Sequence, residues 1–141
     1  MSGKKTVRKK LSRTQQRDLD VQIAFMEGLV RRDPGYVDAL QILGDNYTRR
    51  GQYAEGLRID EQLANLRPED ALVHYNLACS LSLTSRYDEA AVALERALEL
   101  GYRDFRWLAR DPDLAALRKA PVYKRLRAQI RLLRAQESTP R

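Results

Sequence analysis

The sequence predicts an all-α fold, a short superhelix built from antiparallel helix pairs. Residues 37–102 contain two copies of one pattern, and the apolar side chains within each copy recur at helical spacing. Six pairs of identical residues are separated by 34 positions. They are Leu43 and Leu77, Tyr53 and Tyr87, Glu55 and Glu89, Glu61 and Glu95, Leu66 and Leu100, and Pro34 and Pro68. A period of about 34 residues is typical of stacked helix–turn–helix units.

Each copy is expected to contain two helices of about 13 residues, because the helical spacing of its apolar residues is interrupted once near the middle. Gly51 lies at that break in the first copy, where a glycine adopts the left-handed cap of a helix without steric cost. Ser85 replaces it in the second copy. Pro34 and Pro68 mark the other boundary, since a proline cannot continue a preceding helix.

Small residues occupy the positions at which the two helices of one copy should cross. These are Gly44 and Gly56 in the first copy, and Ala78 and Ala90 in the second. A glycine costs about 1 kcal/mol relative to alanine inside a helix, so two glycines in helical register indicate close helix packing.

This alternation of small and large apolar residues resembles the consensus of the tetratricopeptide repeat (TPR). The residues that carry the resemblance are Leu43, Gly44, Tyr47, Tyr53, Gly56 and Pro68, then Leu77, Ala78, Leu81, Tyr87, Ala90 and Ala97. The sequence departs from the consensus at His74, Asp60 and Leu63, where the family prefers a tryptophan, a bulky aromatic residue and an alanine. These departures suggest local repacking.

The ends of the chain are expected to cap the stack. Residues 14–33 predict a helix that matches the second helix of a repeat, and residues 101–126 are similar to the end-of-group segment that closes many bacterial TPR arrays. Trp107 and Leu108 are therefore expected in the core of the cap. We divide the chain into a flexible basic arm (1–13), a single TPR-like helical domain (14–136) and a tail (137–141). The domain comprises the capping helix (14–33), repeat 1 (37–70), repeat 2 (71–104) and the closing segment (105–136).

Charge is distributed unevenly along the chain, whose formal net charge is +7. Both ends are basic and the repeats between them are acidic. Candidate contacts to a polyanion are Lys4, Lys5, Arg8, Lys9, Lys10, Arg127, Arg131 and Arg134. The alternative is a solubilising tail and a cap whose polar face is basic. No apolar run long enough for a signal peptide or a membrane span is present, so a soluble, cytoplasmic protein is expected.

The residue types argue against enzyme chemistry. The single histidine, His74, and the single cysteine, Cys79, lie on one predicted helix at a separation that points them to different faces. No catalytic residue, metal site or cofactor is predicted. A lone cysteine also indicates a reducing compartment.

The TPR resemblance implies that the first helix of each unit lines a concave groove. The groove residues that it implies are Asp38, Gln41, Asp45, Arg49, Leu72, Tyr75, Asn76, Cys79, Leu83 and Arg106. An exposed apolar patch of Leu72, Tyr75, Cys79 and Leu83 would be a partner site, with Tyr75 as its anchor, or would be covered by another segment of the same chain.

The expected function is a non-enzymatic protein–protein interaction module that holds a peptide or helix of a partner in this groove, as a scaffold. The alternative is a nucleic-acid or ribosome-associated accessory protein that acts through its basic ends, with weak nucleic-acid binding. No membrane partner is expected. The chain is expected to be a monomer or a weak homodimer, and the sequence does not name the partner.

Overall fold

The chain folds into a stack of antiparallel helices, seen in a computed structural model that describes residues 10–138. The helices are α1 (Arg13–Arg32), α2 (Val37–Arg50), α3 (Tyr53–Leu66), α4 (Ala71–Leu83), α5 (Tyr87–Glu99), α6 (Phe105–Leu108), α7 (Ala115–Lys119) and α8 (Tyr123–Ser138), with a 3-10 turn at Pro112–Leu114. From α1 to α5, consecutive helices pack against each other. The predicted all-α helical-repeat architecture is confirmed, and the described residues contain no strand.

The helix ends follow the predicted chemistry. Gly51 ends α2 with φ of 88°, in the left-handed region that favours glycine. Ser85 takes the equivalent place after α4 with φ of 62°, a conformation in which a residue other than glycine is strained. Helix α1 begins with a capping box, in which the side chains of Ser12 and Gln15 each accept a hydrogen bond from the backbone of the other.

Close packing at the predicted helix crossings is also confirmed. A Cβ atom added to Gly56 of α3 would lie 2.9 Å from Thr48 Oγ1 and 3.6 Å from the carbonyl oxygen of Gly44 in α2. In the second repeat, Ala78 of α4 and Ala90 of α5 are fully buried. The two helices of each repeat therefore approach through their small residues, as the repeat pattern predicts.

The largest part of the core joins the second repeat to the segment that follows it. Leu94 and Leu98 of α5 pack in one cluster with six buried side chains from beyond the repeats. These six are Phe105, Leu108, Leu114, Leu117, Tyr123 and Leu126. The segment after α5 thus covers the apolar face that α4 and α5 would otherwise expose to solvent.

The prediction for Trp107 is wrong, because 40% of its surface is exposed. Helix α6 has only one turn, and its first and last residues, Phe105 and Leu108, already occupy its buried face. At helical spacing the two residues between them, Arg106 and Trp107, must point elsewhere. Leu108 is buried, as predicted.

Two ends of the sequence-based division lie outside the described residues. The basic arm was placed at residues 1–13, of which only 10–13 are described, and α1 already begins at Arg13. Helix α8 extends to Ser138, slightly beyond the expected end of the closing segment at 136. None of the described helices is both long enough and apolar enough to cross a membrane.

Truncation after Leu100 should leave a chain that does not fold. Six core side chains would be lost, and each large buried apolar residue contributes roughly 2 kcal/mol or more, which together exceeds the stability of a typical small domain. Circular dichroism during thermal unfolding would show no cooperative transition. As a control, removing residues 137–141 breaks the exposed ion pair of Glu137 with Arg103, which contributes little to stability, and should leave Tm almost unchanged. A truncated chain that melts as sharply as the intact one would contradict the assignment.

Candidate functional site

A concave depression of about 500 Å³ lies on the inner side of the stack. Helices α2, α3 and α4 form one part of it, and the segment between α5 and α7 forms the rest. The eighteen residues that line it, called the groove below, are Gln41, Gly44, Asp45, Thr48, Asp60, Leu63, Leu72, Val73, Tyr75, Asn76, Cys79, Ser80, Tyr102, Asp104, Trp107, Asp111, Pro112 and Asp113.

Six of the ten residues predicted for the groove line it. They are Gln41, Asp45, Leu72, Tyr75, Asn76 and Cys79. The other four, Asp38, Arg49, Leu83 and Arg106, do not. Arg49 instead lines a second depression at the other end of α2, next to Lys10 and Tyr53.

Tyr75 and Cys79 lie in the groove floor but are not exposed. Tyr75 keeps only 3% of its surface accessible, because its ring stacks on that of Tyr102 with 4.1 Å between centroids and its hydroxyl reaches Asp111. The sequence analysis allowed this patch to be either a partner site or a surface covered by another segment of the same chain. For Tyr75 and Cys79 the second alternative holds, since a later segment of the chain covers them. Tyr75 therefore cannot be the exposed anchor that was expected. Leu72, with 55% of its surface exposed, remains available.

The carboxylate of Asp111 fastens the 3-10 turn to α4. Its Oδ2 atom accepts a hydrogen bond of 2.6 Å from the hydroxyl of Tyr75 and a weak one of 3.7 Å from the thiol of Cys79. Its Oδ1 atom accepts the backbone N–H of Asp113 at 3.0 Å. Burial and the neighbouring carboxylates raise the pKa values of both Tyr75 and Cys79 well above their usual range, so both are protonated donors at neutral pH.

Arg118 of α7 completes this connection from the other side. One of its terminal nitrogens donates to the carbonyl oxygens of Leu108 and Asp111, each at 2.9 Å. These bonds satisfy backbone acceptors at the end of α6 and at the start of the 3-10 turn. The loop that forms one wall of the groove is therefore held from α4 on one side and from α7 on the other.

The fold brings Cys79, Asp111 and Asp113 together, with their ligand-type atoms within 4.8 Å of one another. No local pattern indicated this cluster, because Cys79 and Asp111 are 32 residues apart in the chain. Both carboxylate oxygens of Asp111 already accept hydrogen bonds from other groups of the chain. We assign the cluster a structural role. The absence of a metal site stays a prediction.

Asp60 is a buried carboxyl in the groove floor that the sequence analysis did not identify as a site residue. It is 7% exposed and accepts a hydrogen bond from the hydroxyl of Ser80. Its burial, and to a smaller extent the charge of Asp45, raise its pKa to about 6. The available signal was the departure from the TPR consensus, which prefers a bulky aromatic side chain here. An aspartate leaves space open and adds a charge.

The basic residues that were proposed for polyanion contact are only partly described. Lys4, Lys5, Arg8 and Lys9 lie outside the described residues. On α8, the guanidinium of Arg127 donates to the carbonyl of Arg118 and lies over the ring of Tyr123. That of Arg134 lies 6.0 Å from the ring centroid of Phe105, while Arg131 is exposed. Two of the three arginines thus contact the closing segment itself.

No known protein-family profile matches the chain. Over 90 residues it is 35% identical to a protein of Arabidopsis thaliana whose name describes it as chloroplastic, and this match covers 62% of the chain and 27% of that protein. It is also similar to the peroxisomal targeting signal receptors of Pichia angusta (33% identity over 110 residues, 76% of this chain and 19% of the receptor) and Komagataella phaffii (37% over 95 residues, 65% and 16%). The chain thus spans about a quarter or less of the length of these curated relatives.

Replacing Tyr75 by phenylalanine should destabilise the fold. The buried carboxylate of Asp111 would lose its strongest donor, and a hydrogen bond to a charged group contributes about 1.5 to 3 kcal/mol. Urea unfolding would measure the loss. Tyr36→Phe is the control, because the Tyr36 ring is exposed, and it should stay within about 0.5 kcal/mol of the unaltered protein. Equal stability of the two variants would show that the hydrogen bond does not fasten the turn.

The raised pKa of Asp60 predicts that this residue makes the fold less stable as pH rises. Between its ordinary value of 3.8 and its folded value of about 6, the folded protein binds the proton and the unfolded chain does not. The free energy of unfolding therefore decreases as the pH rises through this range, by up to about 3 kcal/mol in total. Asp60→Asn carries no such charge and can still accept from Ser80. The stability of the unaltered protein relative to Asp60→Asn should therefore fall from pH 4 to pH 7.

Urea unfolding at a series of pH values tests this. The exposed Asp88→Asn serves as a control, and its stability relative to the unaltered protein should change little over the same range. A difference between the unaltered protein and Asp60→Asn that does not vary with pH would show that Asp60 is not held in a desolvated site.

Proposed function

We propose that the chain is a TPR protein of two repeats, with an N-terminal half-repeat and a C-terminal closing segment, that acts as a non-enzymatic binding module. Its partner is a peptide or helical segment of another protein, held in the groove. The observation that carries this proposal is the composition of the groove. It combines exposed apolar side chains, Leu72 and Trp107, with exposed polar ones, Gln41 and Asn76, on a concave surface.

The size and rigidity of the groove favour this function. A volume of about 500 Å³ lies within the range of roughly 300 to 1,000 Å³ that is usual for ligand sites. Helices form one wall, and the hydrogen bonds of Asp111 and Arg118 hold the other. A partner would not have to order these elements on binding, which lowers the entropic cost of association.

The similarity to the peroxisomal targeting signal receptors supports a protein-interaction role. By their name those proteins are receptors for a targeting signal, and the similar segment covers most of this chain. Because the chain spans less than a fifth of each receptor, the similarity supports binding of a protein segment and no particular signal.

The basic ends are the second candidate site, and we place them after the groove. Arg127 and Arg134 contact Tyr123 and Phe105 in the closing segment, which provides a structural use for part of the basic face of α8. Weak, salt-dependent binding of nucleic acid through the remaining charges stays an alternative.

The groove can be tested with peptides selected from a random library displayed on phage. The selected peptides should bind the intact protein, and the variant Leu72→Ser/Asn76→Ala should weaken their binding by about tenfold, since truncating contacts at an interface commonly costs about 1 to 2 kcal/mol. Both side chains are exposed, so the helicity should not change.

The matched control is Val92→Ser/Asn65→Ala, which alters two exposed side chains of the same types outside the groove. It should bind the selected peptides like the unaltered protein. Binding that persists in the groove variant but disappears when residues 2–10 are deleted would instead favour the basic ends.

A further inference from the structure

The groove is acidic although the chain as a whole is basic. Five carboxyl side chains line it, and none of the lysines, arginines or histidines within residues 10–138 is among its lining residues. The acids come from three parts of the chain: Asp45 on α2, Asp60 on α3, and Asp104, Asp111 and Asp113 from the segment after α5. The acids therefore line the groove from elements that are distant from one another in the sequence.

The arginines closest in sequence to Trp107 lie outside the groove lining. Arg106 and Arg110 on and just after α6 are exposed but do not line it, and the Arg110 guanidinium lies over the ring of Trp107 at 5.9 Å from the centroid. Arg49 lines the second depression. Neither Arg49 nor Arg106, which the TPR resemblance assigns to the groove, is therefore among its lining residues.

Carboxylates on a concave surface favour a cationic ligand. Low-dielectric walls focus the field of like charges and raise the local concentration of the opposite charge. The raised pKa of Asp60, to which Asp45 contributes, is consistent with such a field. An acidic segment or a nucleic-acid phosphate would be repelled for the same reason.

We propose that the groove binds a basic segment of a partner protein, with lysine or arginine side chains lying against the carboxylates of Asp45 and Asp104. This inference rests on the proposed function and specifies the chemistry of the partner. Asp45 and Asp104 are the two exposed acids of the groove and lie on its opposite walls.

The apolar surface between these acids fits the same kind of side chain. Leu72 and Trp107 are both exposed in the groove. Lysine and arginine lay their aliphatic stems along apolar surface and keep the charged end near acids. The groove thus offers a basic side chain both a surface for its stem and a carboxylate for its charge.

The test combines the composition of selected peptides with two charge-matched variants. Peptides whose binding depends on Leu72 and Asn76 should be enriched in lysine and arginine and depleted in acids. Fluorescence anisotropy with one such peptide should show roughly tenfold weaker binding to Asp45→Asn/Asp104→Asn, as expected for the loss of two partly exposed charge pairs. Asparagine also caps α6 as aspartate does, so the fold should be retained.

The control Glu61→Gln/Asp88→Asn removes the same net charge from exposed positions outside the groove. Its affinity should stay within about twofold of the unaltered protein, because screening weakens distant surface charges at physiological salt. Replacing the basic residues of the selected peptide by glutamine should weaken binding to the unaltered protein by a similar tenfold and have little effect on the Asp45→Asn/Asp104→Asn variant.

Three results would overturn the proposal. Groove-dependent peptides that are neutral or acidic would overturn the charge preference and leave the proposed function standing. Equal affinity of the two charge-matched variants for the selected peptide would likewise overturn the charge preference and leave the proposed function standing. Basic peptides that bind only after residues 2–9 are deleted would assign the groove to the basic arm of this chain instead of a partner. Failure to select any groove-dependent peptide, with or without those residues, would contradict the proposed function itself.

Discussion

The hydrogen bonds of the Asp111 carboxylate are the interaction on which the rest of the structure depends. They connect a 3-10 turn late in the chain to Tyr75 and Cys79 on α4, and so fix where the closing segment lies. That placement lets Leu114 and Leu117 enter the core beside α5. It also positions Asp104, Trp107 and Asp113 as one wall of the groove. The same carboxylate therefore serves both the stability of the fold and the shape of its candidate site.

A buried carboxylate is costly unless donors compensate it, and here the side-chain donors come from a distant part of the chain. Tyr75 is 36 residues away from Asp111, and its ring is itself held by stacking on Tyr102. The turn can adopt this position only when α4, the segment after α5 and the 3-10 turn are all in place. Folding of the closing segment should therefore be coupled to folding of the second repeat, since two repeats alone fall short of the number that usually makes a stable stack.

Departures from the repeat consensus create the chemistry of the groove. At the α2–α3 crossing, small residues bring the helices close together, and Asp60 lies just beside that crossing, at a position where the TPR consensus would have a large aromatic side chain. The smaller side chain of Asp60 leaves space, and both this space and the Asp60 carboxyl group belong to the groove. After α5, a one-turn helix and a 3-10 turn replace the first helix of a third repeat, and they contribute three more acids. The regular parts of the repeat form the scaffold, and the irregular parts give the groove its acidic character.

The sequence by itself determined the helices and their order. A constant repeat period, helical spacing of apolar side chains, and residues such as Gly51, Ser85 and Pro68 act locally, so their effects can be read without knowing the fold. The TPR resemblance implied that Gln41, Asp45, Leu72 and Asn76 lie in the groove, and all four are among its lining residues.

Only the tertiary structure decided which of these side chains stay exposed. Tyr75 and Cys79 are covered because Asp111 reaches them from a distant part of the chain, and no local pattern records that contact. Trp107 is exposed because α6 ends after one turn and Phe105 and Leu108 fill its buried face. The acidity of the groove likewise arises from five aspartates that come from three separate parts of the chain, within a sequence whose net charge is positive. Composition sums charges along the chain, whereas a binding site depends on which charges the fold brings together in space.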